Sequence, residues 1–217
     1  MAATGIDIKK LASLTTVVIV IEVLAVMAGT RLTAHSLMLT GAARSCQILA
    51  IVFVLVAADG NLSAIGIRHP TLMRGIARGL LWSAGFGLIV ALAAVLLHLA
   101  GKDPTALIRG RLPGANSQVV LLFAVGGMIG PIAEEMLFRG VLYGFFRRWG
   151  VLPALLISTG IFVLVHLLVR PMQAFAIIQA VGGVLFAAAY ELEKNLMVPI
   201  TIHCLGNMAI FALPALV

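Results

Sequence analysis

The run GLLWSAGFGLIVALAAVLLHLA, from Gly79 to Ala100, contains no Asp, Glu, Lys or Arg. A helix must climb about 30 Å of hydrocarbon at about 1.5 Å per residue, so roughly 20 apolar residues cross a bilayer. Working outward, Leu11–Gly29 and Leu37–Ala58 before it have the same character. So do Val119–Phe138, Leu152–Leu168, Phe175–Tyr190 and Val198–Leu216 after it. The pattern predicts an all-α, polytopic integral membrane bundle with about six to eight transmembrane helices. Nothing marks a boundary, so residues 1–217 are expected to form a single membrane-embedded domain.

Composition agrees. Hydrophobic residues make up 62% and charged residues 11% of the chain, against about 45–50% and about 25% in soluble domains. The net charge is +7 and the pI about 10.3. The basic residues nevertheless come in ones and twos between apolar runs, which argues against nucleic acid as a partner and for topology signals. Cys46 and Cys204 stand far apart with no CxxC motif, so neither a disulfide framework nor a zinc knuckle is expected.

With the amino terminus inside and seven spans, the inner side would hold Lys9, Lys10, Arg68, Arg74, Arg78, Arg147, Arg148 and Lys194. The outer side would hold Arg31, Arg44, Lys102, Arg109, Arg111 and Arg170. The bias points inward. The stretch from Asp59 to Arg78 reads as an inner surface segment, and Gly101 to Ser117, with Pro104 and Pro113, as the longest polar loop. Lys9 and Lys10 before an apolar run also fit a signal peptide. Against that, Glu22 interrupts the run and Val26-Met27-Ala28 is a poor cleavage site. No internal repeat is visible, which weighs against an inverted-repeat transporter.

Ionisable side chains inside a span cost about 2.5–3.5 kcal/mol each on insertion scales, so each needs a partner or a function. They are Glu22 in the first span, Glu134, Glu135 and Arg139 at the end of the fourth, His166 in the fifth, and His203 with Asn207 in the seventh. Helical spacing puts Glu135 and Arg139, i and i+4, on one face as a pair. Glu134 lies about 100° from Glu135 and about 140° from Arg139, without a local cation of its own. A partly desolvated carboxylate is suited to act as a general base. An ion cluster at a helix end explains the same segment equally well. A lone His166 fits a hydrogen bond to a neighbouring helix, and His203 with Asn207 fits a polar packing pair beside the small Gly206.

Together, Glu134-Glu135…Arg139, then Phe162…His166, then His203…Asn207 reproduce, in order, the motifs Glu-Glu-x-x-x-Arg, Phe-x-x-x-His and His-x-x-x-Asn. The chain resembles the CAAX protease and bacteriocin-processing (CPBP) family of intramembrane endopeptidases over about 119–210. The resemblance implies catalytic roles for Glu134, His166, His203 and Asn207, with Glu135, Arg139 and Phe162 in support. In the mechanism this suggests, Glu134, oriented with His166, takes a proton from water. His203 and Asn207 donate to the oxyanion, and Glu135 with Arg139 hold the helix and screen the site. No cofactor is needed. The alternative is Zn²⁺ on Glu134, His166 and His203, although HExxH is absent and one base would be missing. Cys204 adjoins His203 but lies about 100° off its face, which argues against a cysteine enzyme.

The implied partners are the lipid bilayer and a membrane-associated protein or peptide substrate: a prenylated protein, a peptide precursor or a C-terminal sorting helix. The compact chain suggests a prokaryotic cell membrane. Two other classes remain open, a non-catalytic immunity or binding protein of the same fold and a proton-coupled transporter using Glu22, Glu134 and the histidines as a relay.

Overall fold

The computed structural model describes residues 5–31, 37–105, 116–169 and 173–213. Arg109, Arg111, Arg170, Pro113 and residues 214–217 lie outside them. Among the described residues there is no strand, and seven helices carry the fold. They are α1 (Ile8–Arg31), α2 (Leu37–Asp59), α3 (Leu72–Leu99), α4 (Asn116–Trp149), α5 (Val151–Val169), α6 (Gln173–Glu193) and α7 (Met197–Ala212). The first six are long and apolar enough to cross a membrane, whereas α7 is shorter.

The distribution of side chains is that of a membrane protein. Leu80, Leu81, Leu88, Ile89, Leu92, Val95, Leu96 and Leu99 of α3 all face outward, while Gln47, Glu135, Arg139 and His203 are buried. A soluble fold would do the reverse; in lipid the outer face must be apolar and the ionisable groups turn inward. The chain is an integral, multi-pass membrane protein. Small residues let helices approach closely. A Cβ on Gly79 would stand 2.5 Å from Thr201 Cβ, so α3 lies almost backbone to side chain on α7.

Two expectations need correction. First, α3 begins at Leu72, so Arg74 and Arg78 ride its first turns rather than a loop. Second, α4 continues past Phe138 to Trp149, so Arg147 and Arg148 form its last turn. Arg44, counted with the outer-side charges, lies inside the expected second span. It sits in α2 and donates to Glu22 of α1 at 2.9 Å and to Gln47 at 2.8 Å, and Gln47 also donates to Glu22 at 2.9 Å.

At the end of the bundle where α1 begins, several basic residues have partners. Asp7 accepts the Lys10 backbone N–H at 2.8 Å as an N-cap, and this bond holds its carboxyl below the usual range. Lys10 Nζ reaches Asp59 at 2.6 Å, tying the start of α1 to the end of α2. Arg147 and Tyr143 both donate to Glu191 of α6, at 2.9 and 2.8 Å. Arg148 donates to the Ile6 carbonyl at 2.7 Å.

Candidate active site

The site is built on an irregular stretch of α4. Pro131 has no N–H to donate, and its ring crowds the turn before it. That turn widens into a π-helix over Val125–Ile129, in which the Gly130 N–H reaches back five residues to the Val125 carbonyl. Continued by one residue, the pattern would pair the Gly126 carbonyl with the missing N–H of Pro131. That carbonyl is instead satisfied by Asn207 of α7, whose amide donates to it at 2.9 Å. Buried backbone acceptors seek partners, and here the partner is a side chain one helix away. A second π stretch, Met136–Tyr143, follows immediately. Glu134 and Glu135 therefore stand on a short α segment between two π turns, an irregularity frequent at functional sites.

The two neighbouring acids have different surroundings. Glu135 and Arg139 are both 0% exposed and pair at 2.9 Å, as the i,i+4 spacing predicts. The guanidinium also donates to the Gly183 carbonyl of α6 at 3.1 Å, and it lies over the rings of Phe162, Phe186 and Phe138 at 4.7, 5.2 and 5.9 Å. A buried cation held by a carboxylate, a carbonyl and three aromatic faces has one well-determined position. Gly183 is needed there, since a Cβ would meet Thr159 Cγ2 at 2.7 Å.

Glu135 has a second contact on its far side. Its Oε1 lies 2.8 Å from His203 Nδ1, so Glu135 serves His203 as well as Arg139. Sequence spacing alone misses this contact, because it joins α4 to α7. The His203 ring stacks on Phe186 at 4.5 Å between centroids and 19° between planes. Both Gly183 and Phe186 belong to α6, which contributes no motif residue. Their only sequence trace is the glycine pair Gly182-Gly183 in an apolar run.

Glu134 faces the histidines. Its Oε2 is 3.7 Å from His166 Nε2 and 3.8 Å from His203 Nε2. Its side chain is 18% exposed and that of His166 is 21% exposed, so the trio opens to the surroundings on one side. His166 Nδ1 lies 2.8 Å from the Phe162 carbonyl one turn earlier, and the rings of Phe162 and His166 pack at 4.3 Å. Phe162 thus orients His166 and also covers Arg139. Both imidazoles turn Nδ1 toward an acceptor and Nε2 toward Glu134. Across 3.7 to 3.8 Å there is no direct hydrogen bond, but one water can bridge each separation.

The structure brings Glu134, His166 and His203 together, with Glu135 and Arg139 directly behind. Asn207 stands one turn after His203 on α7, and the contact described for it is the Gly126 carbonyl. The set considered for zinc is this same trio. Among the described residues no group of three His, Cys, Asp or Glu side chains has the geometry to hold a metal ion. Glu22 belongs to a separate cluster with Arg44 and Gln47.

Comparison with known proteins falls on this same region. Residues 116–209 match the family model described as Type II CAAX prenyl endopeptidase Rce1-like. A Bacillus subtilis (strain 168) protein named "Putative membrane peptidase YdiL" is 32% identical over 90 residues, 41% of this chain and 35% of that protein. The match therefore spans about a third of the relative's length. No solved structure matches the chain.

Proposed function

We propose, from the match of residues 116–209 to the Rce1-like CAAX endopeptidase family model, that this chain hydrolyses a peptide bond at a site within the bilayer, with Glu134 as general base. One observation carries the reading. Of two adjacent glutamates, Glu135 is committed to a fully buried ion pair, while Glu134, partly accessible, is faced by the Nε2 atoms of His166 and His203. A carboxylate so placed can bind a water together with His166, take its proton and turn the oxygen onto a scissile carbonyl.

The tetrahedral oxyanion then needs donors. His203 is nearest, and Asn207 has a second amide N–H beside the one given to Gly126. One such donor contributes about 3–4 kcal/mol in a protease. Substrates would be membrane-associated proteins or peptide precursors whose scissile segment can unwind, because only irregular backbone offers its carbonyl to attack. A prokaryotic cell membrane is the setting we assign. No metal enters this scheme.

The test is a panel of internally quenched peptides, some farnesylated at a C-terminal CAAX sequence and some with free apolar C-terminal segments. They are presented to the purified protein in detergent, with products read by mass spectrometry. The wild type should cleave at least one peptide at one position, and Glu134→Gln, which keeps shape and removes the base, should cleave none. Equal cleavage by Glu134→Gln would exclude Glu134 as the base.

A further inference from the structure

We infer that Glu135 is a positioning residue that fixes a proton on Nδ1 of His203, so that His203 can donate from Nε2 toward the reacting atoms only as the doubly protonated imidazolium. This rests on the reading of Glu134 as base and gives its neighbour a defined part in the chemistry.

The argument is a proton inventory. Glu135 and Arg139 are both fully buried, with Arg139 Nη1 2.9 Å from Glu135 Oε1. Protonating Glu135 would leave the guanidinium a buried, uncompensated cation, so the carboxylate stays ionised. An ionised carboxylate only accepts hydrogen bonds. The 2.8 Å contact between Oε1 and His203 Nδ1 therefore requires the hydrogen on Nδ1. In neutral imidazole the other nitrogen is then a bare acceptor. That nitrogen, Nε2, is the one turned to Glu134 Oε2 at 3.8 Å. For His203 to donate to an oxyanion, Nε2 must gain a proton while Nδ1 keeps its own.

His166 shares the orientation but not the partner. Its Nδ1 contacts the neutral Phe162 carbonyl, whereas that of His203 contacts an anion. The groups around His203 are Glu134 and Glu135 from α4, with Arg139 behind Glu135, and the uncharged Phe186 ring from α6. His166 of α5 reaches it through Glu134, and Cys204 adjoins it on α7. Where α3 packs on α7 at Gly79, the neighbour is the uncharged Thr201. The arrangement divides the labour: Glu134 takes a proton from water, His203 offers one to the oxyanion, and Glu135 holds His203 in its orientation with Nδ1 protonated.

The test needs no substrate. The full chain, labelled with ¹⁵N-histidine and held in detergent micelles, is titrated by NMR across about pH 6 to 9. His203 is assigned by the signals that vanish in His203→Gln. Nδ1 should remain protonated throughout, and Nε2 should be the titrating nitrogen. A wild-type neutral form protonated on Nε2 would overturn the inference without any variant having to fold. In Glu135→Gln, where folded, the share of neutral His203 protonated on Nδ1 should fall, and Glu135→Asp should restore it. No change in that fraction would also overturn it. Where a peptide of the panel is cleaved, wild-type kcat should drop with rising pH as Nε2 deprotonates, and a flat alkaline side counts against the inference. If no peptide is cleaved, the proposed function fails, while the protonation pattern still decides the role of Glu135.

Discussion

Two polar clusters interrupt the apolar helices, and their internal distances set them apart. In Glu22–Arg44–Gln47 the three side chains bond one another at 2.8 to 2.9 Å. In Glu134–His166–His203 the carboxylate stands off both imidazoles at 3.7 to 3.8 Å, and each ring is anchored from behind by its other nitrogen. Both clusters carry the cost of ionisable groups in a membrane. The first offsets it internally, Glu22 Oε2 accepting from both Arg44 and Gln47 and so holding α1 to α2. The second keeps capacity facing outward while its supporting shell, Glu135, Arg139, Phe162 and Phe186, is fixed. On the proposed function, one is an arrangement for stability and the other for binding and reaction.

The contrast breaks if the two clusters respond alike to substitution. The largest expected effect is on turnover: Glu134→Gln and His166→Ala should each lower kcat on the order of 10³-fold or more, with thermal midpoints in detergent close to wild type. Next is the buried pair behind the site. Arg139→Leu leaves Glu135 buried and uncompensated and should cost about 3–5 kcal/mol of stability. The double variant with Glu135→Gln should cost less than the two single losses added, and additive losses by thermal melting would rule the pairing out.

Asn207→Ala sharpens the comparison, because Asn207 braces the π turn at Gly126 and is also assigned to the oxyanion. On the catalytic assignment kcat falls on the order of 10²-fold with little change in KM. If bracing is its whole role, the folded variant turns over normally and only melts earlier. Glu22→Gln should cost about 1 kcal/mol with turnover unchanged. The smallest effect is expected from exhaustive chelation, which should leave activity intact. Loss with 1,10-phenanthroline restored by Zn²⁺ would favour the metal reading.

The membrane class was legible because a span needs only length and apolarity, both visible in Gly79–Ala100. The Glu135–Arg139 pair was legible because i,i+4 spacing is local to one helix. What escaped the sequence lies between helices. Arg44 counts as an outer-side charge without a partner until α1 is laid beside α2, and Glu135 reads as a partner of Arg139 alone until α7 brings His203 to its other side. The π turn at Val125–Ile129 had a signal in Pro131, whose missing N–H must leave some carbonyl without its backbone partner. The partner, Asn207, could not be read without the packing of α7 on α4. Helix lengths were misjudged where charges such as Arg74, Arg78, Arg147 and Arg148 ride the ends of helices rather than mark loops.

The most direct test compares the two clusters in one assay. Single-turnover rates are measured for Glu134→Gln and Glu22→Gln on the same cleaved peptide, in the same detergent, at equal folded fractions. The account predicts cleavage at the wild-type rate by Glu22→Gln and a rate lower on the order of 10³-fold or more for Glu134→Gln. Equal rates in the two variants, or a greater loss at Glu22, would contradict it.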